Sequence, residues 1–90
     1  VVLLTIELHV PFARSLKDKR MILRGVKDRA AKFNVSVAEI DHHDLWQRAG
    51  LAIVTVSTDE SHASRELSAV VDEIERVEPG LVTRTETEFL

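Results

Sequence analysis

FNVSVAEIDHHDLWQRAGLAIVTVS, from Phe33 to Ser57, holds two strand patterns in succession with no helix between them. Val35 to Asp41 is the first and Ala49 to Ser57 the second, each rich in valine and isoleucine. HHDLWQR separates them, which is longer than a tight hairpin needs. The facing of 35–41 is ambiguous, because Val35 and Val37 fall out of phase with Ala38 and Ile40; a bulge would reconcile them. In the second strand Ala52, Val54 and Val56 are the expected core face, leaving Leu51, Ile53 and Thr55 opposite.

On the N-terminal side, Val1 to Val10 reads as a strand. Val2, Leu4, Ile6, Leu8 and Val10 share one face, while Thr5, Glu7 and His9 share the other. Pro11 ends it, since proline has no N–H for the ladder. Ser15-Leu16-Lys17-Asp18 then fits the Ser-x-x-acid pattern that opens a helix. Leu16, Leu23, Val26, Ala30 and Phe33 follow as a single helical stripe. On the C-terminal side, Ser57 to Glu60 reads as another capping box. Ala63, Leu67, Val70, Ile74 and Val77 form a regular stripe, and Pro79-Gly80 stops that helix. Leu81 to Leu90 is a final strand whose polar Thr-Arg-Thr-Glu-Thr-Glu centre suits a sheet edge.

The element order is therefore β-α-β-β-α-β in one domain, residues 1–90. Two helices cover only one face of a four-stranded antiparallel sheet. The expected architecture is an α+β ferredoxin-like sandwich with strand order 4-1-3-2. Its other sheet face would be bare, with an apolar patch of Leu3, Leu51 and Ile53. A second copy packed face to face would cover such a patch, so a homodimer is expected.

Composition narrows the function. With no cysteine, disulfides, cysteine zinc sites and thiol catalysis are excluded. No apolar run approaches the roughly 20 residues of a membrane span, and no secretory signal is visible. A cytoplasmic protein without membrane contact is the expectation. The net charge of −3 hides a division. Residues 14–32 hold eight cationic side chains against two acidic ones, a local +6, so the remainder carries −9. Lys17, Arg20, Arg24 and Lys27 lie together on the first helix, to one side of its apolar stripe. Such a row suits a phosphate backbone; the plainer alternative is a solvated face with internal pairs such as Arg24 with Asp28.

LLTIELHVP, RSLKDKRMILRGVKDR and FNVSVAEIDHHDLWQRA together resemble the YlxP-like family of small bacterial proteins. The resemblance is specific through about residue 58 and weaker beyond. It implies a ferredoxin-like fold and a cytoplasmic setting. Members are often encoded beside translation and transcription-termination factors, which points towards RNA or ribosome work. The family brings no catalytic residues to carry over. Similar proteins more often have glutamine at the position of His43.

The loop that carries His42, Asp44, Trp46, Gln47 and Arg48 is the second candidate site. Adjacent histidines splay apart on extended chain, and no spacing here converges two nitrogens on one ion. No metal or cofactor is expected; Asp41 or Asp44 would instead cap the turn. Trp46, the sole tryptophan, either closes one end of the core or serves as a stacking platform or partner anchor. RNA binding on the sheet face is rejected, because the first and third strands lack exposed aromatics. Neither a phosphate-binding glycine loop nor a nucleophile elbow is present. Ser57, Asp59 and His62 are better read as helix capping than as a triad. An ACT-type ligand loop would need glycine after the first strand, where Pro11-Phe12-Ala13-Arg14 has none.

The reading that results is a non-enzymatic accessory protein docking on RNA or a ribosomal particle. The first helix would supply phosphate contacts and the 42–48 loop specificity. The rivals are a module that meets an acidic protein partner, and a small-ligand sensor or enzyme built on the loop.

Overall fold

A computed structural model describes residues 1–90. The elements are β1 (Val2–His9), α1 (Leu16–Ala30), β2 (Ser36–Asp41), β3 (Arg48–Thr55), α2 (Glu60–Val77) and β4 (Val82–Phe89). The four strands form one antiparallel sheet in the order β2-β3-β1-β4, which is the expected order read from the other edge. Both helices lie on one face, so the chain is a ferredoxin-like α+β sandwich.

β1 is central because it is the strand with the cleanest alternation. Val2, Leu4, Ile6 and Leu8 are buried beneath the helices, and Thr5 and Glu7 stand on the open face. β1 fixes the facing of its neighbour. Leu4 pairs with Ile53 and Ile6 with Leu51, and directly opposed residues share a face. Ala49, Leu51 and Ile53 are therefore in the core, fully buried. This corrects the expectation for β3, where Ala52, Val54 and Val56 were assigned to the core. Ala52 and Val54 lie on the open face, and Val56 is 69% exposed. Both phases of this strand are apolar, and the phase with the larger side chains removes more surface from water.

The same correction dismantles the apolar patch of Leu3, Leu51 and Ile53. Leu3 alone lies on the open face, opposite Val54 in the register. Thr55, buried at the end of β3, satisfies its hydroxyl by donating to the Asn34 carbonyl at 2.8 Å. The bulge anticipated in β2 falls between Glu39 and Asp41, where the register against β3 shifts. A second shift, opposite Glu7 and Leu8, accommodates an extra residue in β4.

Helix α1 opens at Ser15, whose hydroxyl accepts from the Asp18 N–H at 3.1 Å. α2 opens two residues later than the sequence pattern indicates: Asp59 rather than Ser57 is its cap and accepts from the Ser61 N–H at 2.9 Å. Ser57 instead accepts from the Asp59 N–H at 3.2 Å. Ala63, Leu67, Val70 and Ile74 face the core as the periodicity requires. No helix is long and apolar enough to cross a membrane.

Candidate functional site

On α1 the buried stripe is Leu23, Val26 and Ala30 together with Lys19, which is only 2% exposed. Lys19 fills the place one turn before Leu23 that the apolar residues leave vacant. Its aliphatic stem lies in the core while the ammonium reaches the β2–β3 connection. Nζ donates to the His42 carbonyl at 2.5 Å and sits 3.1 Å from Glu39 Oε2. The approach to Glu39 is off the hydrogen-bonding direction, so Oε2 is buried without a donor. The contact is a charge–charge pairing on the helix side of the sheet. Helix α1 and the 42–47 loop are thus held together by one cation that is not at the surface.

With Lys19 inside, the expected row of cations remains on the outside of α1, and Arg29 is a further, half-buried cation of its last turn. Lys17, Arg20 and Arg24 are exposed and Lys27 is half-buried. The ion pairs of the molecule use Lys19, His42, Arg48 and Arg76. None of the four surface cations has a carboxylate within 4.0 Å, and the suggested Arg24–Asp28 pair is not formed. Arg20, Arg24 and Lys27 line a groove of about 310 Å³ with Leu23, Asp28 and Glu39, between the helix and the sheet edge. The Glu39 carboxylate at that edge is the one already opposed by Lys19.

A second polar cluster crosses the open face of the sheet, and local sequence spacing does not show it. His42 adopts a left-handed backbone, φ 60°, a conformation histidine tolerates better than most residues. Asp41 supports it by accepting the His42 N–H at 2.8 Å. The imidazole Nε2 then lies 3.3 Å from Glu7 Oε1 and 3.7 Å from Asp41 Oδ2. Glu7 Oε2 accepts from Arg48 at 3.2 Å. Gly50, paired with both Glu7 and Asp41, makes this possible. A methyl there would meet the Asp41 Cβ at 2.9 Å.

The Glu7 carboxyl is held below the usual carboxylate range, first by the hydrogen bond to His42 and then by Arg48. A lowered folded pKa gives stability that is present above the unfolded value and lost as pH falls through the folded one. On acidification from about pH 5 to about pH 3, the Glu7→Gln variant is therefore expected to lose less stability than the parent. Urea midpoints across that range check it; parallel curves for the two proteins would contradict the pairing.

The remaining loop residues stand at one end of the molecule. Trp46 is 52% exposed rather than closing the core. It lines a cleft of about 500 Å³ with His9, Asp44, Leu45, Gln47 and Arg48. His43 is exposed and turned to no partner, whereas His42 is engaged with Glu7. The structure thus brings Trp46, Gln47, Arg48 and Asp44 to one cleft, and sends the His42 ring to the sheet face instead. Lys19, Glu7 and Glu39 are the members that the sequence reading missed. For Lys19 the signal was present, as the empty position in the 3-4 spacing of the α1 stripe.

A ferredoxin-like sandwich with a cation-lined helix, braced to a long β2–β3 loop, is the class these features define. The chain belongs to the family described as "Protein of unknown function (DUF503)", which matches residues 1–87. It is 41% identical to "Uncharacterized protein YlxP" of Bacillus subtilis (strain 168), over 82% of this chain and 84% of that one. Among solved structures it is similar to "De novo designed protein Ferredog-Diesel", with 13% identity and a TM-score of 0.48. That match covers 98% of this chain and 83% of the other.

Proposed function

We propose that the protein is a non-enzymatic docking factor that binds RNA, free or in a ribosomal particle, through the exposed face of α1. The observation that carries this reading is that none of Lys17, Arg20, Arg24 and Lys27 is ion-paired: no carboxylate oxygen lies within 4.0 Å of them, although Asp28 and Glu39 share the groove. Unpaired cations spaced along one helix attract a polyanion without first giving up an internal partner, and each phosphate they neutralise releases counterions. The net charge of −3 weighs against general adhesion to nucleic acid, so the attraction is local to this face. The burial of Lys19 supports the same reading, since it fixes the helix against the loop and leaves its outer face free.

Crosslinking in living cells tests this directly. Ultraviolet irradiation is expected to join RNA to peptides of α1, the segment 16–30. Recovery of acidic proteins at that segment, with no RNA, would instead establish the module as a protein-binding one.

A further inference from the structure

The end of the molecule that carries Trp46 has an unusual surface. Phe12 is 58% exposed, Trp46 52% and Leu45 44%. Single exposed apolar residues are ordinary, but these three stand on two turns that are clasped together. The Val10 N–H donates to the Gln47 carbonyl at 2.8 Å. Gln47 Nε2 donates to the Pro11 carbonyl at 3.1 Å. Phe12 and Trp46 are each one residue from this clasp, so both rings are presented from a braced backbone.

The cleft beside Trp46 is not an apolar socket. Only two of its six lining residues are hydrophobic, Leu45 and Trp46. The others present an imidazole (His9), a carboxylate (Asp44), an amide (Gln47) and a guanidinium (Arg48). With its amino group given to Pro11, Gln47 keeps its carbonyl oxygen as an acceptor. A flat ring rimmed by donors and acceptors suits a planar heterocycle with polar edges better than an aliphatic anchor. Lys17 and Arg20 flank Lys19 in sequence, and Lys19 is bonded to the loop at His42. Lys19 thus ties the helix that carries these cations to the loop that carries the cleft.

We infer that the polyanion bound by α1 is single-stranded RNA, and that an unpaired base of the same strand stacks on Trp46 in this cleft. The inference rests on the phosphate-binding role proposed for α1 and adds to it the state of the strand and the group that reads it. In a duplex the base faces are hidden, so an aromatic platform has nothing to stack on. In a single strand, a cationic groove that tracks the backbone and aromatic rings that accept bases act together. Phe12, across the clasp, is the second platform. The centre of the sheet face takes no part, since Thr5, Glu7, Ala52 and Val54 offer no ring; only His9 and Arg48, at its end, reach the cleft.

Trp46 is the only tryptophan, so intrinsic fluorescence reports on this cleft alone. The probes are a single-stranded RNA of about 12 nucleotides and the same strand annealed to its complement. The single strand is expected to quench Trp46 and the duplex to leave it unchanged. Trp46→Ala is expected to weaken single-strand binding about 5- to 100-fold without altering its salt dependence. Trp46→Phe, which keeps a flat ring, is expected to restore most of that loss; far-UV circular dichroism checks that each variant is folded. RNA binding with Trp46 unquenched, or with Trp46→Ala unimpaired, overturns the stacking site and leaves the α1 contact standing. Equal quenching by the duplex also overturns it. No binding of either RNA at low salt overturns both proposals. Quenching by an acidic peptide but not by RNA would assign the cleft to a protein and overturn the inference.

Discussion

Replacing Lys19 with alanine is expected to lower the stability of the fold by about 3 kcal/mol. Three things are lost together. The His42 carbonyl loses its donor, the half-buried Glu39 carboxylate loses its counter-charge, and the apolar stem leaves a void beside Leu23. Breaking a buried pair by removing one partner typically costs about 3–5 kcal/mol. Glu39 keeps some access to water, which places the value at the lower end. An exposed lysine in the same helix would change stability by no more than about 0.5 kcal/mol. Lys19→Met separates the contributions, because it keeps most of the stem and removes the charge; its cost is expected to lie between these limits. Urea unfolding measures Lys19→Ala and Lys19→Met against Lys17→Ala as the exposed control, and hydrogen exchange in residues 42–47 should quicken in both Lys19 variants. A change of under about 0.5 kcal/mol for Lys19→Ala would show that the brace contributes nothing.

Reversing two charges on α1 is expected to weaken RNA binding at low salt by at least about 100-fold. In Arg20→Glu/Arg24→Glu, two phosphate contacts disappear and two carboxylates face the polyanion in their place. Both side chains are exposed and unpaired, so the fold should be unaffected within about 0.5 kcal/mol. The same reversal at Arg65 on α2, also exposed and unpaired, is the control and should leave affinity nearly unchanged. Fluorescence anisotropy with a labelled RNA distinguishes the two. If both reversals weaken binding alike, the attraction belongs to the whole molecule and not to α1.

The elements legible in the sequence are those with a single periodicity. β1 and α2 each have one apolar phase, so their buried faces followed directly, and β-α-β-β-α-β with two one-sided helices leaves few topologies. β3 was not legible, because Leu51 and Ile53 compete with Val54 and Val56 and alternation alone cannot choose. Its facing came from outside the strand, through the pairing of Leu51 with Ile6. The cation face of α1 followed from helical geometry, whereas Lys19, whose charge masks a long apolar stem, was marked only by the gap in the 3-4 spacing before Leu23. Glu7 and Arg48 are 41 residues apart, and only the sheet register makes them neighbours. The α2 cap shifted from Ser57 to Asp59 because two oxygen-bearing side chains compete within one turn.

The central claim is that four unpaired cations on one helix bind a phosphate backbone, and the salt dependence of RNA affinity tests it most directly. With four contacts to a single strand, the logarithm of the binding constant is expected to fall against the logarithm of salt concentration with a slope near −3. Arg20→Glu/Arg24→Glu should flatten that slope by about half. A parent slope near zero, or a slope that the double reversal leaves unchanged, would contradict the claim.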